Sequence, residues 1–146
     1  MTHPIEIINE RAFAVDQARL FQAFADPQAL AQWWGPHGFS NRVDELDIRV
    51  GGAFRITMTN SDGADFHNHC TFQEVRVPER IVYIHHEPMH VFTMEMDFSP
   101  EGEGSRLRWR MLFEDNDENR AVAKFIQAAN EQNFDRLEAH LAGRAS

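Results

Sequence analysis

Cysteine is nearly absent from this sequence. Cys70 stands alone in 146 residues, so no disulfide can close within the chain, and a reducing compartment is expected. Positive charge is also scarce. Fourteen Lys and Arg face 23 Asp and Glu, a net charge of -9, and that balance repels phosphate backbones and anionic lipid faces. No nucleic acid and no membrane surface is expected as a partner. No apolar run approaches the roughly 20 residues of a membrane-spanning helix, and the N-terminus MTHPIEIINE lacks the basic-then-apolar layout of a signal peptide. A cytoplasmic location follows as an expectation. Repeats, low-complexity tracts and linkers are missing, so residues 1–146 read as a single domain, large enough to bury about two thirds of the surface of its unfolded chain. No nucleophile pattern, phosphate loop or carboxylate pair stands out. No catalytic residue is assigned and no cofactor is implied.

What is present has a clear order: a strand, two short helices, a long series of strands, then one long helix. The first strand spans about Ile5 to Ala14. Asp16 can cap a short helix with Leu20, Phe21 and Phe24 at helical spacing. Asp26-Pro27 ends that helix and starts a second, which runs through Leu30 and Trp33 until Gly35-Pro36 breaks it. Gly51-Gly52 makes a turn. Ala53 to Thr59 then alternates Phe54, Ile56 and Met58 against Arg55, Thr57 and Thr59, the period of a strand with one buried face. Residues 65–77, Arg80 to His86, Val91 to Ser99 and Ser105 to Phe113 continue the series, with turns at Pro78-Glu79 and residues 100–104. Such alternation predicts an antiparallel sheet, wet on one side.

The last element is predicted as a helix from Asp117 to Leu141, capped by Asn116 and about 37 Å long at 1.5 Å per residue. Val122, Phe125 and Ile126 near its start and Phe134, Leu137 and Leu141 near its end read as bulky anchors. Residues 128–133 between them are small or polar. A helix fastened at both ends over a sheet lined by Phe, Met and Trp leaves room for a cavity at mid-span, unless large sheet residues fill the gap, as packing density favours. Met58, Met94, Met96 and Met111 all fall on the inward face, and flexible thioether chains adapt to varied shapes.

Several motifs together resemble the AHSA1-like group of the START-like (SRPBCC) superfamily, named for similarity to the C-terminal domain of the activator of heat-shock-protein-90 ATPase. They are Arg11-x-Phe13, Leu20-Phe21-x-Ala23-Phe24, Asp26-Pro27-x-x-Leu30-x-x-Trp33-Trp34-Gly35-Pro36 and Asp47-x-Arg49-x-Gly51-Gly52-x-Phe54-Arg55. Phe72-x-Glu74-Val75, Pro78-Glu79-Arg80-Ile81-Val82-Tyr83 and Ser105-Arg106-Leu107 complete the set. The match runs from about residue 11 to 141. It implies an α+β helix-grip fold, a curved antiparallel sheet wrapped around a long C-terminal helix with two short helices after the first strand. Two departures stand out: Asp16 where the family usually has proline, and Ala128-Ala129-Asn130 where a Glu-Gly stretch is common.

Consecutive residues at a helix end point about 100° apart, so Trp33 can plug the core while Trp34 lines a cavity mouth, with His37, Gly38 and Phe39 as its lip. The resemblance implies a cavity entrance in this region. Eight histidines raise a metal reading. His67-x-His69 with Glu74 has the spacing of a first cupin metal motif, but no second motif follows, and strand parity sends Glu74 to the opposite face unless a bulge intervenes. No metal site is assigned. His85, His86 and His90 flank a turn at Pro88 and are expected in water. Cys70 points inward and should be inert. Arg106, Arg108 and Arg110 form an outward stripe opposite Glu95 and Asp97, and Arg55 pairs with Glu74. Asn68, inward among aromatics, needs a partner and is the best candidate for a polar anchor.

The function expected is binding of a small apolar or aromatic molecule between sheet and last helix, by Trp34, Phe39, Phe54, Met58, Phe66, Asn68, Met94, Met96, Trp109, Met111 and Phe125. Two alternatives stay open. One is a cyclase- or hydratase-like enzyme using the same cavity, with Asn68, Tyr83 or a histidine as its polar group. The other is a chaperone-associated interaction module, the weakest reading, since the activator's separate N-terminal domain has no counterpart in these residues. A homodimer is compatible with the sequence but not specified by it.

Overall fold

The structure, a computed structural model, describes residues 3–143. Ten elements follow one another: β1 (Ile5–Phe13), α1 (Gln17–Ala25), α2 (Pro27–Trp33), β2 (Ser40–Leu46), β3 (Ala53–Thr59), β4 (Asp65–Arg76), β5 (Arg80–Glu87), β6 (Phe92–Glu101), β7 (Gly104–Phe113) and α3 (Asp117–Leu141). The strands form one seven-stranded sheet in the order β1-β7-β6-β5-β4-β3-β2, antiparallel at every pair. This is the α+β helix-grip fold, a curved sheet with the long helix packed on its inner face. The sequence pattern places no boundaries on β2, an edge strand that alternates exposed and half-buried residues but carries only Val43 and Leu46 as apolar ones.

The helix starts follow the chemistry of their caps. Asp16 accepts from the Arg19 backbone N–H at 2.8 Å, Asp26 from Gln28 at 3.0 Å and Asn116 from Asn119 at 2.8 Å. Each satisfies a donor that the first turn leaves without a partner. Trp33 is fully buried, and its indole N–H donates to the Ala23 carbonyl at 3.0 Å, which locks α2 onto α1.

The long helix is not fastened as the sequence suggests. In its C-terminal half Phe134 and Leu137 have no exposed surface, and burying each contributes about 1.5 to 3 kcal/mol. In its N-terminal half Val122 and Ile126 are only half-buried and Phe125 is 66% exposed, its ring beside Lys124. The polar middle is not idle: it grips β1. Asn9 donates to the Gln127 carbonyl at 3.1 Å and to Glu131 at 2.6 Å, and Asn130 donates to Asn9 at 3.0 Å. Arg11 reaches Asp135 at 2.9 Å and Glu131 at 3.1 Å. The helix is therefore anchored at one end and along one edge, and its first turns stand over the sheet.

On the outer face the charge ladder is real but differently paired. Arg55 approaches Glu45 at 3.6 Å, not Glu74; Glu74 meets Arg76 at 2.8 Å and Arg80 at 3.3 Å. Arg80 also holds Asp97 at 2.7 Å, and Arg110 bridges Glu6 and Glu95. The reason is register. The β3–β4 pairing sets Arg55 opposite His69 and ends at Ala53 opposite Thr71, short of Glu74, while the β4–β5 pairing is shifted by bulges between His69 and Cys70 and between Phe72 and Glu74.

Candidate functional site

A pocket of about 440 Å³ lies between the inner face of the sheet and the raised half of α3. Its floor comes from alternate residues of five strands, because period-two alternation sends them all to one side. Phe54, Ile56 and Met58 come from β3, Phe66, Asn68 and Cys70 from β4, Tyr83 and His85 from β5, Met94 from β6, and Trp109, Met111 and Phe113 from β7. Ile126, Asn130 and Asn133 of α3 face it from above. The rim is built by two loops, residues 34–39 and residues 88–92.

The Trp-Trp-Gly-Pro loop is held in place by an unusual fastening. Arg136 of α3 is buried, and its guanidinium donates to the carbonyls of Trp34 (2.7 Å), Pro36 (3.1 Å), Gly35 (3.2 Å) and Gln32 (3.3 Å). These carbonyls close the C-terminal end of α2, where the helix dipole favours a cation. Burial lowers the guanidinium's affinity for its proton, yet it stays charged far above neutral pH. Gly35 sits at φ +89°, where an L side chain is strained, so the turn requires glycine; a Cβ there would also push the mobile Met58 Cε, 2.7 Å away. Trp33 points into the core while Trp34 packs edge-on to Phe54 and Trp33 and tilts against Trp109, with centroids 5.5 to 5.7 Å away. The His37 backbone N–H donates to Gln132 and its ring lies 3.6 Å from Asp135. The lip is thus tied to α3, and Pro36 and Phe39, not His37 or Gly38, line the pocket.

Of the residues expected at a ligand site, Trp34, Phe39, Phe54, Met58, Phe66, Asn68, Met94, Trp109 and Met111 share this wall. Two do not. Met96 is buried in the core beyond it, beside a small secondary void, and Phe125 faces outward. Phe125 was placed inward as a helix anchor, but the face of α3 toward the sheet carries Ile126, Asn130 and Asn133 instead.

The largest correction concerns His85, which is buried rather than solvated. It continues the alternation of Ile81 and Tyr83 on β5 and pairs with Cys70. That period-two pattern was the available signal; the neighbouring histidines and Pro88 masked it by resembling a turn. His85 Nδ1 lies 2.7 Å from the His90 carbonyl oxygen, and Nε2 lies 2.8 Å from Asn68 Oδ1. Its ring stacks on Phe92 at 4.5 Å. Burial pushes the His85 pKa below its ordinary value, and the neighbouring His86 and His90 add to that, while the His90 carbonyl and Glu87 oppose it. Asn68 thus has a partner within the protein.

Other polar groups on the wall are less satisfied. The Trp109 indole N–H is buried without an acceptor among the described residues. The Tyr83 hydroxyl has no hydrogen-bond partner among the described residues, and burial raises its pKa well above the phenol range, so it is a donor at any physiological pH. Cys70 is likewise held as the thiol by burial. On the outside of the sheet, His67 shares a hydrogen bond with Thr57 at 3.1 Å and His69 lies 4.0 Å from Glu87. Glu74 is occupied by arginines, and among the described residues no group of three or more His, Cys, Asp or Glu is placed to hold a metal.

This architecture is shared. A family profile described as Activator of Hsp90 ATPase homolog 1-like protein matches residues 14–142. The chain belongs to this AHSA1-like family. A solution structure of a protein from Arthrobacter aurescens is similar with a TM-score of 0.88 at 19% identity, covering 97% of this chain and 88% of that one. A crystal structure from Chromobacterium violaceum gives a TM-score of 0.78 at 26% identity, with 93% and 96% covered. The AHSA1-like protein from Aeromonas hydrophila gives 0.81 at 20%, with 95% and 93% covered. We found no match among curated proteins. AHSA1-like relatives at these identities share the fold, so the site's chemistry has to be read from this chain's own residues. Among the described residues no helix is long and apolar enough to cross a membrane.

Proposed function

We propose that this AHSA1-like protein binds a small, largely apolar or aromatic molecule in the pocket beneath the N-terminal half of α3. One observation carries the reading: a space of about 440 Å³ walled by aromatic and methionine side chains, with no Asp, Glu, Lys or Arg in its lining. Ligand pockets are typically apolar concavities of about 300 to 1,000 Å³ with a few polar groups that orient the guest. Here Asn68, Tyr83, His85 and the Trp109 N–H are those groups. An acceptor on the ligand would satisfy the indole N–H, whose isolation otherwise costs about 1 to 3 kcal/mol.

The reading is tested with N-phenyl-1-naphthylamine, a dye that fluoresces in apolar surroundings. One saturable site is expected, and Ile126→Trp, which fills the space below α3, should abolish it. Absence of saturable binding, or unchanged binding by the filled variant, would remove the proposal.

A further inference from the structure

His85 is bracketed by two hydrogen-bond acceptors. The His90 carbonyl can only accept, so Nδ1 at 2.7 Å must carry a proton to bond it. On the other side Nε2 faces Asn68 Oδ1 at 2.8 Å. The orientation of that amide is favoured by its own nitrogen, which donates to the Phe66 carbonyl at 3.2 Å. Reversing it would set two carbonyl oxygens against each other at that distance. The arrangement is complete only when both ring nitrogens are protonated, that is, when His85 is a cation. Phe92, stacked at 4.5 Å with 15° between the ring planes, offers a π face to such a cation.

Among the described residues, no group in the pocket lining supplies the balancing charge. On β5 itself Glu87 favours the cation while His86 opposes it, and His90 in the following loop opposes it too. On the neighbouring strands Cys70 is held as the neutral thiol, and β6 presents Phe92. The face of α3 toward the pocket presents Ile126, Asn130 and Asn133, all uncharged. Next to His85 along β5, the Tyr83 hydroxyl is an uncommitted donor. A charge site is therefore built into an apolar wall, with hydrogen-bond geometry for the cation and no counter-ion.

We propose that the pocket takes apolar molecules carrying an acidic head group, bound as the anion beside Tyr83 and Asn68, and that binding places the second proton on His85. The inference rests on the pocket being the ligand site and names the class of ligand. The carboxylate keeps its charge on binding; the proton comes from solvent, and the neutral imidazole becomes an imidazolium whose two N–H groups stay on His90 and Asn68 while its charge offsets that of the nearby anion.

Calorimetry with 2-naphthoate and its uncharged analogue 2-naphthamide tests this on the intact protein. In two buffers of different ionisation enthalpy at pH 7.5, naphthoate should bind with uptake of about one proton, and its affinity should fall about tenfold per pH unit above the titration of free His85. Naphthamide should take up none. In the naphthoate complex, nitrogen-15 spectra should show both His85 ring nitrogens protonated, and His85→Gln should lose the proton uptake. Naphthoate binding without proton uptake, or uptake that survives His85→Gln, would overturn this inference and leave an apolar pocket standing. Failure of both naphthalenes to bind would remove the inference and the pocket reading together.

Discussion

Replacing Arg136 by methionine keeps much of the side chain's length and apolar stem while removing the guanidinium that holds the Trp34 loop. Four contacts are lost, to the carbonyls of Gln32, Trp34, Gly35 and Pro36. Hydrogen bonds to a charged group are each worth about 1.5 to 3 kcal/mol, but they share one cation whose desolvation opposes them, and among the described residues no carboxylate pairs with it. The net loss is expected at about 2 to 4 kcal/mol, a large part of the 5 to 15 kcal/mol typical of a folded domain. For a chain of this size that lowers Tm by about 5 to 15 °C. Urea denaturation, with the change in midpoint converted at constant slope, measures it directly. Arg136→Lys should recover less than half, because three donors on a point charge cannot reproduce a planar fork spread over four acceptors. If Arg136→Met lies within about 0.5 kcal/mol of the parent protein, the fastening of α2 and its turn by this cation is refuted.

Other expectations follow from the same geometry. Phe134→Ala should cost about 3 to 5 kcal/mol, whereas Phe125→Ala should stay within about 0.5 kcal/mol in the same denaturation assay. Equal losses would contradict one-ended anchoring of α3. Gly35→Ala, held at φ +89°, should cost about 1 to 3 kcal/mol, again read by denaturation. Burial depresses the folded-state pKa of both His85 and His140 below the ordinary 6.5. The unfolded chain therefore binds more protons as pH falls, so the empty protein should be most stable above about pH 6.5 and lose stability from there downward through the depressed values. Stability that rose between pH 7.5 and 5 would contradict that sign. Cys70, buried and held as a thiol, should react with Ellman's reagent only after unfolding, a difference visible by absorbance.

Every strand but β2 and all three helices were legible because their patterns are local. Caps at Asp16, Asp26 and Asn116, the Gly35-Pro36 break and strict alternation along 105–113 depend only on neighbouring residues. The pocket wall was readable for the same reason, since parity alone sends Phe54, Met58, Met94 and Met111 to one side. What escaped depends on tertiary placement. Phe125 is as apolar as Phe134, but nine residues at about 100° each set the two on opposite faces of α3, so only the one in phase with the buried Asn130, Asn133 and Leu137 is covered. Glu74's partners were hidden by bulges in β4. His85 was missed for a weaker reason: its strand parity was plain, but a histidine-rich run ending in proline imitates a solvated turn. Arg136 carried no signal, because a basic residue on a mostly polar helix looks like any solvated one.

The most direct measurement is a carbon-13 methyl spectrum of the methionines during titration with N-phenyl-1-naphthylamine. Met58, Met94 and Met111 line the pocket floor and the exposed Met89 its rim, whereas Met96 is buried outside it. Saturable shifts of the first three methyls with Met96 unmoved are the result this account predicts. Titration that leaves the three floor methyls where they are, or moves Met96 as far as they move, would contradict a ligand site beneath the N-terminal half of α3.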